Sequence, residues 1–298
     1  MAGQTLSEIR SLLAAGGLAP RHRLGQNFLI DLNLMRKLVT VAGVAPGDVV
    51  LEVGPGTGSL SEMLLETGAR LIAVELDRGL FALLSDRLGD HPRCTLIRGD
   101  ALAGKHHVNP LVLDVLREQA PDAGGSRKLV ANLPYQIATP LLLDLLCVRP
   151  RLASLTCTIQ REVADRLAAA PGTSAYGAAS VFCQSFAELT THATLPPSVF
   201  WPRPKVESVM LRLVPRPAEP IPGDPGGFSR FLQGVFAQRR KMLRRIARAQ
   251  GWAGAETAFE RVGVSPDARP EDLSPAQWRI LHRELFADRP PPAAGVSR

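Results

Sequence analysis

The stretch 51-LEVGPGTGSLSEMLL-65 decides the fold, because glycines join an apolar run to a segment with helical spacing. Gly54, Gly56 and Gly58 allow the backbone to turn sharply and to approach a ligand closely. The free N–H groups at the start of the following helix favour an anionic group. A tight strand-to-helix turn without a ligand also requires glycine, so the loop alone leaves the structural and the binding interpretation open.

Strand and helix signals alternate from about residue 48 to residue 160. Short runs of continuous apolarity indicate strands that are covered on both faces. Repeated βα units predict an α/β fold with a parallel, doubly wound sheet, whose ligands bind beyond the carboxyl ends of the strands. The predicted strands are Val49–Val53, Leu71–Val74, Thr95–Ile97, Leu129–Ala131 and Leu155–Ile159, and the predicted helices are Leu60–Glu66, Gly79–Leu88 and Pro140–Leu146.

Polar side chains recur at the predicted carboxyl ends of successive strands. Glu75 closes the second strand, where a carboxylate can accept hydrogen bonds from both hydroxyls of a ribose. Asp100 and Asn132 close the third and fourth strands. A surface polar group at a strand end is the alternative for each position taken singly, but the recurrence favours a ligand site. A dehydrogenase is disfavoured, because the glycines run G-x-G-x-G and no partner for hydride transfer stands out.

The segment 132-NLPY-135 supplies groups suited to an aromatic amine. Such an amine is a poor nucleophile, because its lone pair is shared with the ring. The side-chain carbonyl of Asn132 and the backbone carbonyl of Leu133, held extended by Pro134, can accept its two N–H groups and localise that pair. Tyr135 offers a flat face for a purine, worth ~1–3 kcal/mol. The structural alternative is a capped, rigid turn with Tyr135 filling core space.

Together these motifs resemble those of the S-adenosylmethionine-dependent methyltransferases, and longer segments resemble the ribosomal RNA adenine dimethyltransferases, the bacterial small-subunit type above all. The resemblance covers most of residues 20–245 and implies a Rossmann-like methyltransferase domain with a small C-terminal helical domain. It also implies dimethylation of N6 of two adjacent adenines near the 3′ end of 16S rRNA, within a precursor of the small ribosomal subunit. The segments are RLGQNFLID at 23–31, LEVGPGTGSLSEMLL at 51–65, AVELD at 73–77, GDAL at 99–102, NLPYQIATP at 132–140, QREVADRLAAAPGTSAYGAASV at 160–181, PPSVFWPRPKVES at 196–208 and FAQRRKMLRR at 236–245.

The same resemblance implies roles for individual residues. Glu75 is expected to hold the ribose of S-adenosylmethionine. Asp100 is expected to accept a hydrogen bond from the adenine amine of this cofactor, and Asn27 is expected to lie near its methionine part. Phe200 is expected to pack on the target base opposite Tyr135. The expected cofactor contacts are Asn27, Leu29, Gly54, Gly56, Glu75, Asp100 and Asn132, and the expected catalytic set is Asn132, Leu133, Pro134, Tyr135 and Phe200.

Two features depart from the family pattern. Gln136 stands where the family usually has asparagine, which alters the rim of the pocket but leaves Asn132 in place. The segment between Asp100 and Asn132 is longer than the family pattern leads one to expect. His106 and His107 fall inside it and are expected to be solvated loop residues rather than ligands. No metal is expected, since the four cysteines form no CxxC pair and no His-spaced pattern.

The net charge of the 298-residue chain is +7, and it is concentrated toward the C-terminal end, where 13 Lys and Arg face 7 Asp and Glu from Phe228 onward. Winding residues 230–248 as one helix places an apolar side opposite a basic side. No acidic residue occurs between Phe228 and Gly254, which favours contact with RNA phosphates over a merely solvated face or a membrane-surface helix. Arg239 falls within the apolar arc and is expected to pair with a carboxylate or carbonyl of the methyltransferase domain. The expected RNA-binding residues are Arg240, Lys241, Arg244, Arg245 and Arg248.

The distribution of proline, glycine and helical signals divides the chain into domains. Ser274 precedes a proline at the first position of the last predicted helix, where it is expected to be the N-cap. We expect a methyltransferase domain with an N-terminal extension at 1–214, a linker at 215–227, a helical RNA-binding domain at 228–286 with helices Phe228–Ala249, Ala255–Val262 and Pro275–Phe286, and a disordered tail at 287–298.

The sequence shows no leader-like segment and no apolar run approaching the ~20 residues of a membrane helix, so we expect a cytoplasmic monomer without membrane contact. Two other functions stay open. One is the large-subunit rRNA methyltransferase that confers macrolide resistance. The segments GQNFL and FAQRRKMLRR favour the small-subunit type instead. The other is a non-catalytic RNA-binding assembly factor, against which the intact segment from Asn132 to Tyr135 speaks.

Overall fold

The computed structural model describes residues 3–104, 107–217 and 225–286. The described chain divides into two compact units, the first within Met1–Ala164 and Glu188–Pro215, the second within Asp165–Ala187 and Arg216–Arg298. The sequence had placed the whole of 1–214 in one domain. The segment Asp165–Ala187 instead packs with the C-terminal helices.

The first unit is built on a seven-stranded sheet in the order β4-β3-β2-β5-β6-β9-β7, beside a separate antiparallel pair of β1 and β8. Strands β4, β3, β2, β5 and β6 run parallel to their neighbours, and β9 runs antiparallel to β6. The strands are β1 (Phe28–Leu29), β2 (Val49–Val53), β3 (Arg70–Glu75), β4 (Cys94–Arg98), β5 (Arg127–Asn132), β6 (Ser154–Gln160), β7 (Ala187–Leu195), β8 (Phe200–Trp201) and β9 (Ser208–Pro215).

All five strands predicted from continuous apolarity are present, each within one residue or two of its predicted bounds. Every residue of β2 is buried, and the strand pairs with β3 on one side and β5 on the other. Strands β7 and β9 were not predicted. They carry the sheet beyond β6, and the antiparallel β9 makes a mixed sheet of the predicted parallel one.

Four helices of the first unit begin at side chains that satisfy free N–H groups of the first turn. Asp31 and Asp77 each accept from two backbone N–H groups of the first turn, and Asn109 accepts from one. Thr5 forms a capping box with Glu8. The helices are α1 (Leu6–Ala15), α2 (Leu32–Ala42), α3 (Ser59–Glu66), α4 (Arg78–Leu88), α5 (Pro110–Glu118), α6 (Ala138–Leu145) and α7 (Arg161–Leu167), whose last residues belong to the second unit.

The long segment after Asp100 contains ordered structure that was not predicted. Leu102 and Val108 form an isolated antiparallel bridge, and α5 follows directly. His107 is exposed, in agreement with the expectation of a solvated residue. His106 lies outside the described residues.

The described part of the second unit is helical. Its core is aromatic, with Phe228 and Trp278 fully buried and Phe231 within 5.8 Å of the Trp278 ring. Beside α7 and the short Pro270–Asp272 turn, the helices are α8 (Ala178–Phe186), α9 (Pro225–Phe236), α10 (Leu243–Gln250), α11 (Ala255–Val262) and α12 (Pro275–Phe286).

The prediction of one continuous helix over Phe228–Ala249 is wrong, because the chain leaves helical geometry between α9 and α10. Met242 is extended, and the N–H groups that open α10 bond to another loop rather than to the preceding turn. Leu243 donates to the Ala268 carbonyl at 2.8 Å and Arg244 to the Pro266 carbonyl at 2.9 Å. These tertiary hydrogen bonds end the helix at a place where the apolar periodicity continues.

The predicted N-cap, linker and tail can be compared with the described residues in turn. Ser274 caps α12 as predicted, accepting from the Gln277 N–H at 3.2 Å while its own N–H donates to the Gln277 side chain at 3.0 Å. The predicted linker contains the start of α9 at Pro225, and its residues 218–224 lie outside the described chain. The predicted tail at 287–298 lies outside it as well.

Candidate cofactor and substrate site

A cavity opens at the carboxyl ends of β2, β3 and β5, the edge at which the predicted fold places its ligands. It collects residues from the glycine loop, from the GQNFL segment before β2 and from the NLPY turn after β5. Apart from Phe200, all predicted cofactor and catalytic residues line it. These are Asn27, Leu29, Gly54, Gly56, Glu75, Asp100, Asn132, Leu133, Pro134 and Tyr135.

The glycine loop lies between an aromatic ring and a proline. Gly54, Gly56 and Gly58 have φ of +74°, +63° and +87°, a region that side chains disfavour. A Cβ at Gly56 would lie 2.8 Å from the Phe28 ring, and one at Gly54 would lie 3.0 Å from Pro134. The glycines therefore meet a steric demand of the folded chain, and Gly54 and Gly56 also form part of one wall of the cavity.

Glu75 stands at the end of β3 with only 5% of its surface exposed. One carboxylate oxygen accepts from the Gly56 N–H at 3.2 Å and the other from the Asp77 N–H at 2.8 Å. Burial raises the pKa of Glu75 to about 7, although these backbone hydrogen bonds oppose the rise. The group thus braces the glycine loop and offers further acceptor sites to the cavity.

Glu52 is a second buried carboxyl on the wall of this cavity, and the sequence reasoning missed it. The Ser61 hydroxyl donates to its Oε2 at 2.6 Å. Burial raises the pKa of Glu52 to about 8, the Ser61 hydrogen bond opposes this, and the charge of Glu75 adds to the rise. An acid inside the otherwise apolar run 49-VVLEV-53 was the signal that could have found it.

Asn132 ends β5 with both ends of its side-chain amide engaged. Its Nδ2 donates to the Asn27 carbonyl at 2.8 Å, and its Oδ1 accepts from the Thr158 hydroxyl. Asn27 in turn donates from Nδ2 to the Gly25 carbonyl at 3.2 Å. The GQNFL segment and the NLPY turn, 105 residues apart in sequence, are thereby joined directly at the cavity.

Tyr135 is held at both its backbone and its hydroxyl. The hydroxyl forms a 2.8 Å hydrogen bond with Ser208 at the start of β9, and burial raises the pKa of Tyr135. The turn that contains Tyr135 is closed by Ile137, whose N–H donates to the Pro134 carbonyl at 3.2 Å. The ring is therefore fixed at the cavity while remaining half exposed.

Asp100 lies on an exposed turn, two residues beyond the end of β4 rather than at the strand end itself. Its Oδ1 accepts from the Leu102 N–H at 2.9 Å, and its backbone carbonyl accepts from the Asn109 side chain at 2.9 Å. The turn is thus tied to the start of α5, and the carboxylate remains on the cavity wall.

Phe200 does not line the cavity in this structure, and its packing on a base opposite Tyr135 stays a prediction. It is 3% exposed and packs in the apolar core of the first unit. The pairing of β8 with β1 places Phe200 beside Leu29 and turns the next residue, Trp201, toward Phe28, with the two rings 6.2 Å apart. Alternation along the strand thus directs Phe200 inward.

Five basic side chains on and before α10 form an exposed surface of the second unit, which we call the basic face: Arg240, Lys241, Arg244, Arg245 and Arg248. Leu243, Ile246 and Ala247 are buried on the opposite side of α10. Arg244 pairs with Asp267 at 2.9 Å, although both side chains are more than half exposed. In the described chain, Arg240, Arg245 and Arg248 have no carboxylate within 4.0 Å.

Arg239 is held within the second unit. Its guanidinium pairs with the Glu271 carboxylate and donates to the carbonyls of Ser174 at 2.7 Å and Thr173 at 2.9 Å. All three partners belong to the same unit as Arg239. Thr173 and Ser174 lie within 1–214, the range predicted for the methyltransferase domain, so Arg239 does bond to carbonyls of that range, although their segment packs in the second unit.

Two features are absent from the described residues. These residues contain no helix long and apolar enough to cross a membrane. They also contain no group of three or more His, Cys, Asp or Glu side chains arranged to hold a metal ion.

Comparison with known proteins decides the family. The model of the family described as ribosomal RNA adenine dimethylase matches residues 17–285. The chain belongs to that family. Among curated relatives, the ribosomal RNA small subunit methyltransferase A of Phenylobacterium zucineum is 42% identical over 100% of this chain and 99% of its own. The protein of the same name from Caulobacter vibrioides is 43% identical over 88% of this chain and 96% of its own.

Solved structures of related proteins share the fold. A dimethyladenosine transferase from Plasmodium falciparum superposes with a TM-score of 0.69 at 23% identity, covering 84% of this chain and 94% of that one. The 23S rRNA methyltransferase ErmE superposes with a TM-score of 0.59, also at 23% identity, covering 87% and 99%. The predicted family and the predicted Rossmann-like methyltransferase fold with a helical C-terminal region are confirmed, and the chain is a methyltransferase of the ribosomal RNA adenine dimethylase family.

Proposed function

We propose that this protein dimethylates N6 of two adjacent adenines near the 3′ end of 16S rRNA, with S-adenosylmethionine as methyl donor, during assembly of the small ribosomal subunit in the cytoplasm. The observation that carries the proposal is the convergence of the glycine loop, Glu75, Asp100 and the NLPY turn on one cavity. Relatives about 40% identical over nearly the whole chain carry the name of small-subunit enzymes.

The residues on the cavity wall suit S-adenosylmethionine. Glu75 is a buried carboxylate with acceptor sites left for two ribose hydroxyls. Asp100 offers an acceptor to an adenine amine, and Asn27 and Leu29 would border the methionine part. Gly54 and Gly56 line the cavity and carry no side chain, so at these positions the loop backbone itself would border the cofactor. When bound, the cofactor supplies a methyl group on a sulfonium, which is electrophilic enough to need no metal or covalent intermediate.

The NLPY turn would prepare the attacking amine. Asn132 Oδ1 and the carbonyl of Leu133 accept its two N–H groups and draw them from the ring plane, so that the nitrogen lone pair is no longer shared with the ring. Tyr135, fixed through Ser208, supplies a flat face for the base. No group has to take a proton before attack, so positioning of the two reactants is the main source of rate.

The basic face would bind the phosphate backbone of the RNA. Exposed arginines without internal partners are free to neutralise phosphates and release counterions. We expect the protein to act as a monomer on a partly assembled small subunit, without a membrane or a metal.

The large-subunit alternative is less well supported, because the likeness to ErmE is one of fold at 23% identity. A non-catalytic assembly factor is disfavoured by the intact NLPY turn. The experiment that decides among the three incubates the full chain and labelled S-adenosylmethionine with small-subunit precursors or with large subunits, followed by mass spectrometry of the rRNA. We expect N6,N6-dimethyladenine only in 16S rRNA, and label confined to 23S rRNA or absent from both would overturn the proposal.

A further inference from the structure

Three hydroxyls lie in a row on one face of β6, the strand that pairs with β5 beside the NLPY turn. Ser154, Thr156 and Thr158 are each at most 1% exposed. A buried hydroxyl is costly unless it is hydrogen-bonded. The hydroxyls of Ser154 and Thr156 find no partner among the described residues, whereas that of Thr158 donates to Asn132 Oδ1. Of the three, only Thr158, the residue beside the NLPY turn, has a hydroxyl with a hydrogen-bond partner among the described residues.

The contacts of the Asn132 amide admit one orientation. Its Nδ2 faces the Asn27 carbonyl at 2.8 Å, and its Oδ1 faces the Thr158 hydroxyl. Exchanging oxygen and nitrogen would set Oδ1 against a carbonyl oxygen, and two acceptors repel. The Thr158 hydroxyl uses one lone pair of Oδ1 and leaves the other toward the cavity. Asn27 and Thr158 thus hold the two ends of the amide.

Thr158 also contacts Leu133, the residue that carries the second acceptor, through its backbone. It is the register partner of Asn132 in the parallel ladder between β5 and β6, and its carbonyl accepts from the Leu133 N–H at 3.2 Å. The peptide between Asn132 and Leu133, one unit before the Leu133 carbonyl, is therefore fixed by the same residue. No sequence motif marks this position, because its effect depends on a neighbouring strand.

We propose that Thr158 is a positioning residue for methyl transfer, whose hydroxyl fixes the Asn132 carbonyl in the direction from which the adenine amine approaches. The inference rests on the proposed function, since it assigns Thr158 a role through Asn132. With the hydroxyl removed, the amide is held only at its nitrogen and turns about its last side-chain bond. Alignment of the amine is lost, while binding of the cofactor is preserved, because Glu75, Asp100 and Asn27 are untouched and Asn132 keeps its Nδ2 hydrogen bond to the Asn27 carbonyl.

The test compares three full-length variants under single-turnover conditions, with S-adenosylmethionine and small-subunit precursor. Thr158→Val keeps the shape and removes the donor, and should slow methyl transfer about tenfold, the size of one lost hydrogen bond. Thr158→Ser restores the donor and should recover most of the rate. Thr156→Val is the matched control, because Thr156 lies two residues away on the same face, equally buried, with a hydroxyl that has no partner. It should leave the rate unchanged.

The affinity for S-adenosylmethionine, measured by calorimetry, should stay within about twofold of the parent in all variants, since a tenfold change in affinity corresponds to the loss of a direct contact. Equal rates in Thr158→Val and the parent, or equal losses in Thr158→Val and Thr156→Val, would overturn the inference. Should Thr158→Val fail to fold, Thr158→Cys keeps a weak donor of similar size and should give an intermediate rate, and a parental rate would again overturn it. Asn132→Ala separates the two claims. Its inactivity beside a fully active Thr158→Val defeats only the positioning role, whereas an active Asn132→Ala defeats the proposed function itself.

Discussion

The cavity edge of the first unit and the basic face of the second unit carry polar groups in opposite ways. At the cavity, Glu75, Asn132 and Tyr135 each have hydrogen-bond partners inside the protein. On the basic face, Arg245 and Arg248 are exposed and have no carboxylate near them. Groups whose direction matters are fixed by neighbours, and groups whose charge matters are left mobile in water. The cavity therefore depends on the geometry of its groups, whereas the basic face depends on their charge.

The largest expected effect is on the fixed side of this comparison. Asn132→Ala removes the acceptor from the amine and should lower the rate of methyl transfer by about 10²- to 10³-fold, as loss of a preorganised polar contact does elsewhere. RNA affinity should be unchanged, because it depends on the basic face. Rapid-quench assays with filter binding measure both quantities, and a parallel loss of rate and affinity would show that the two regions are not separable in this way.

The basic face should show the reverse pattern. Charge reversal of Lys241, Arg244 and Arg245 to glutamate should weaken RNA binding and reduce the slope of log affinity against log salt by about 2 to 3, near one unit per lost phosphate contact. At saturating RNA, the rate of methyl transfer should remain parental. Reversal of the exposed Lys37 on α2 gives the effect of a single charge reversal placed outside the basic face. If the slope of log affinity against log salt is unchanged in the triple variant, the RNA binds to a surface other than the basic face.

Glu75 ties the cavity to pH. Because burial raises its pKa to about 7, the carboxylate is progressively protonated as pH falls from 8 to 6 and loses acceptor sites for the ribose. Affinity for adenosine should therefore rise with pH over this range, by up to about tenfold per pH unit on the acid side of the pKa. Adenosine is the suitable probe, since it lacks the titrating amino group of the full cofactor. Glu75→Gln should bind weakly at every pH, and a pH dependence that survives in it would implicate another group, Glu52 first.

The smallest expected effect concerns the stability of the second unit, which depends on aromatic packing. His282 lies with its ring 5.1 to 5.2 Å from those of Phe228, Phe231 and Phe286, and burial lowers its pKa to about 4. The folded state thus holds His282 neutral at pH values where the unfolded chain is protonated. Its contribution to stability is complete above about pH 6.5 and is lost as pH falls toward 4. Between pH 7 and pH 4, the thermal unfolding temperature of the full chain should fall more steeply with pH in the parent than in His282→Leu. An equal fall in both would contradict this.

The parts of the fold that the sequence predicted are those specified by local pattern. The strand Val49–Val53 was predicted to the residue, because its apolarity is continuous and a glycine turn follows. The break between α9 and α10 was missed, because hydrogen bonds from Leu243 and Arg244 to a loop more than twenty residues away end a helix whose periodicity persists. Strand β7 was missed because most of its side chains are not buried.

The same division holds at the candidate site. Glu75 and Asn132 were predicted from motifs that follow strands. Phe200 was assigned to the base although its strand directs it into the core, a fact that depends on pairing with Leu29. Thr158 was not singled out at all, since its relation to Asn132 exists only where two strands 26 residues apart in sequence align.

The bracing of Tyr135 by Ser208 has a consequence for the order in which the chain is synthesised. A nascent chain displays the glycine loop and the NLPY turn long before its strand β9 has emerged. Until then the tyrosine hydroxyl lacks its partner and the sheet ends at β6. An interrupted chain would therefore carry the glycine loop and the NLPY turn while Tyr135 still lacked the hydrogen bond that fixes its ring.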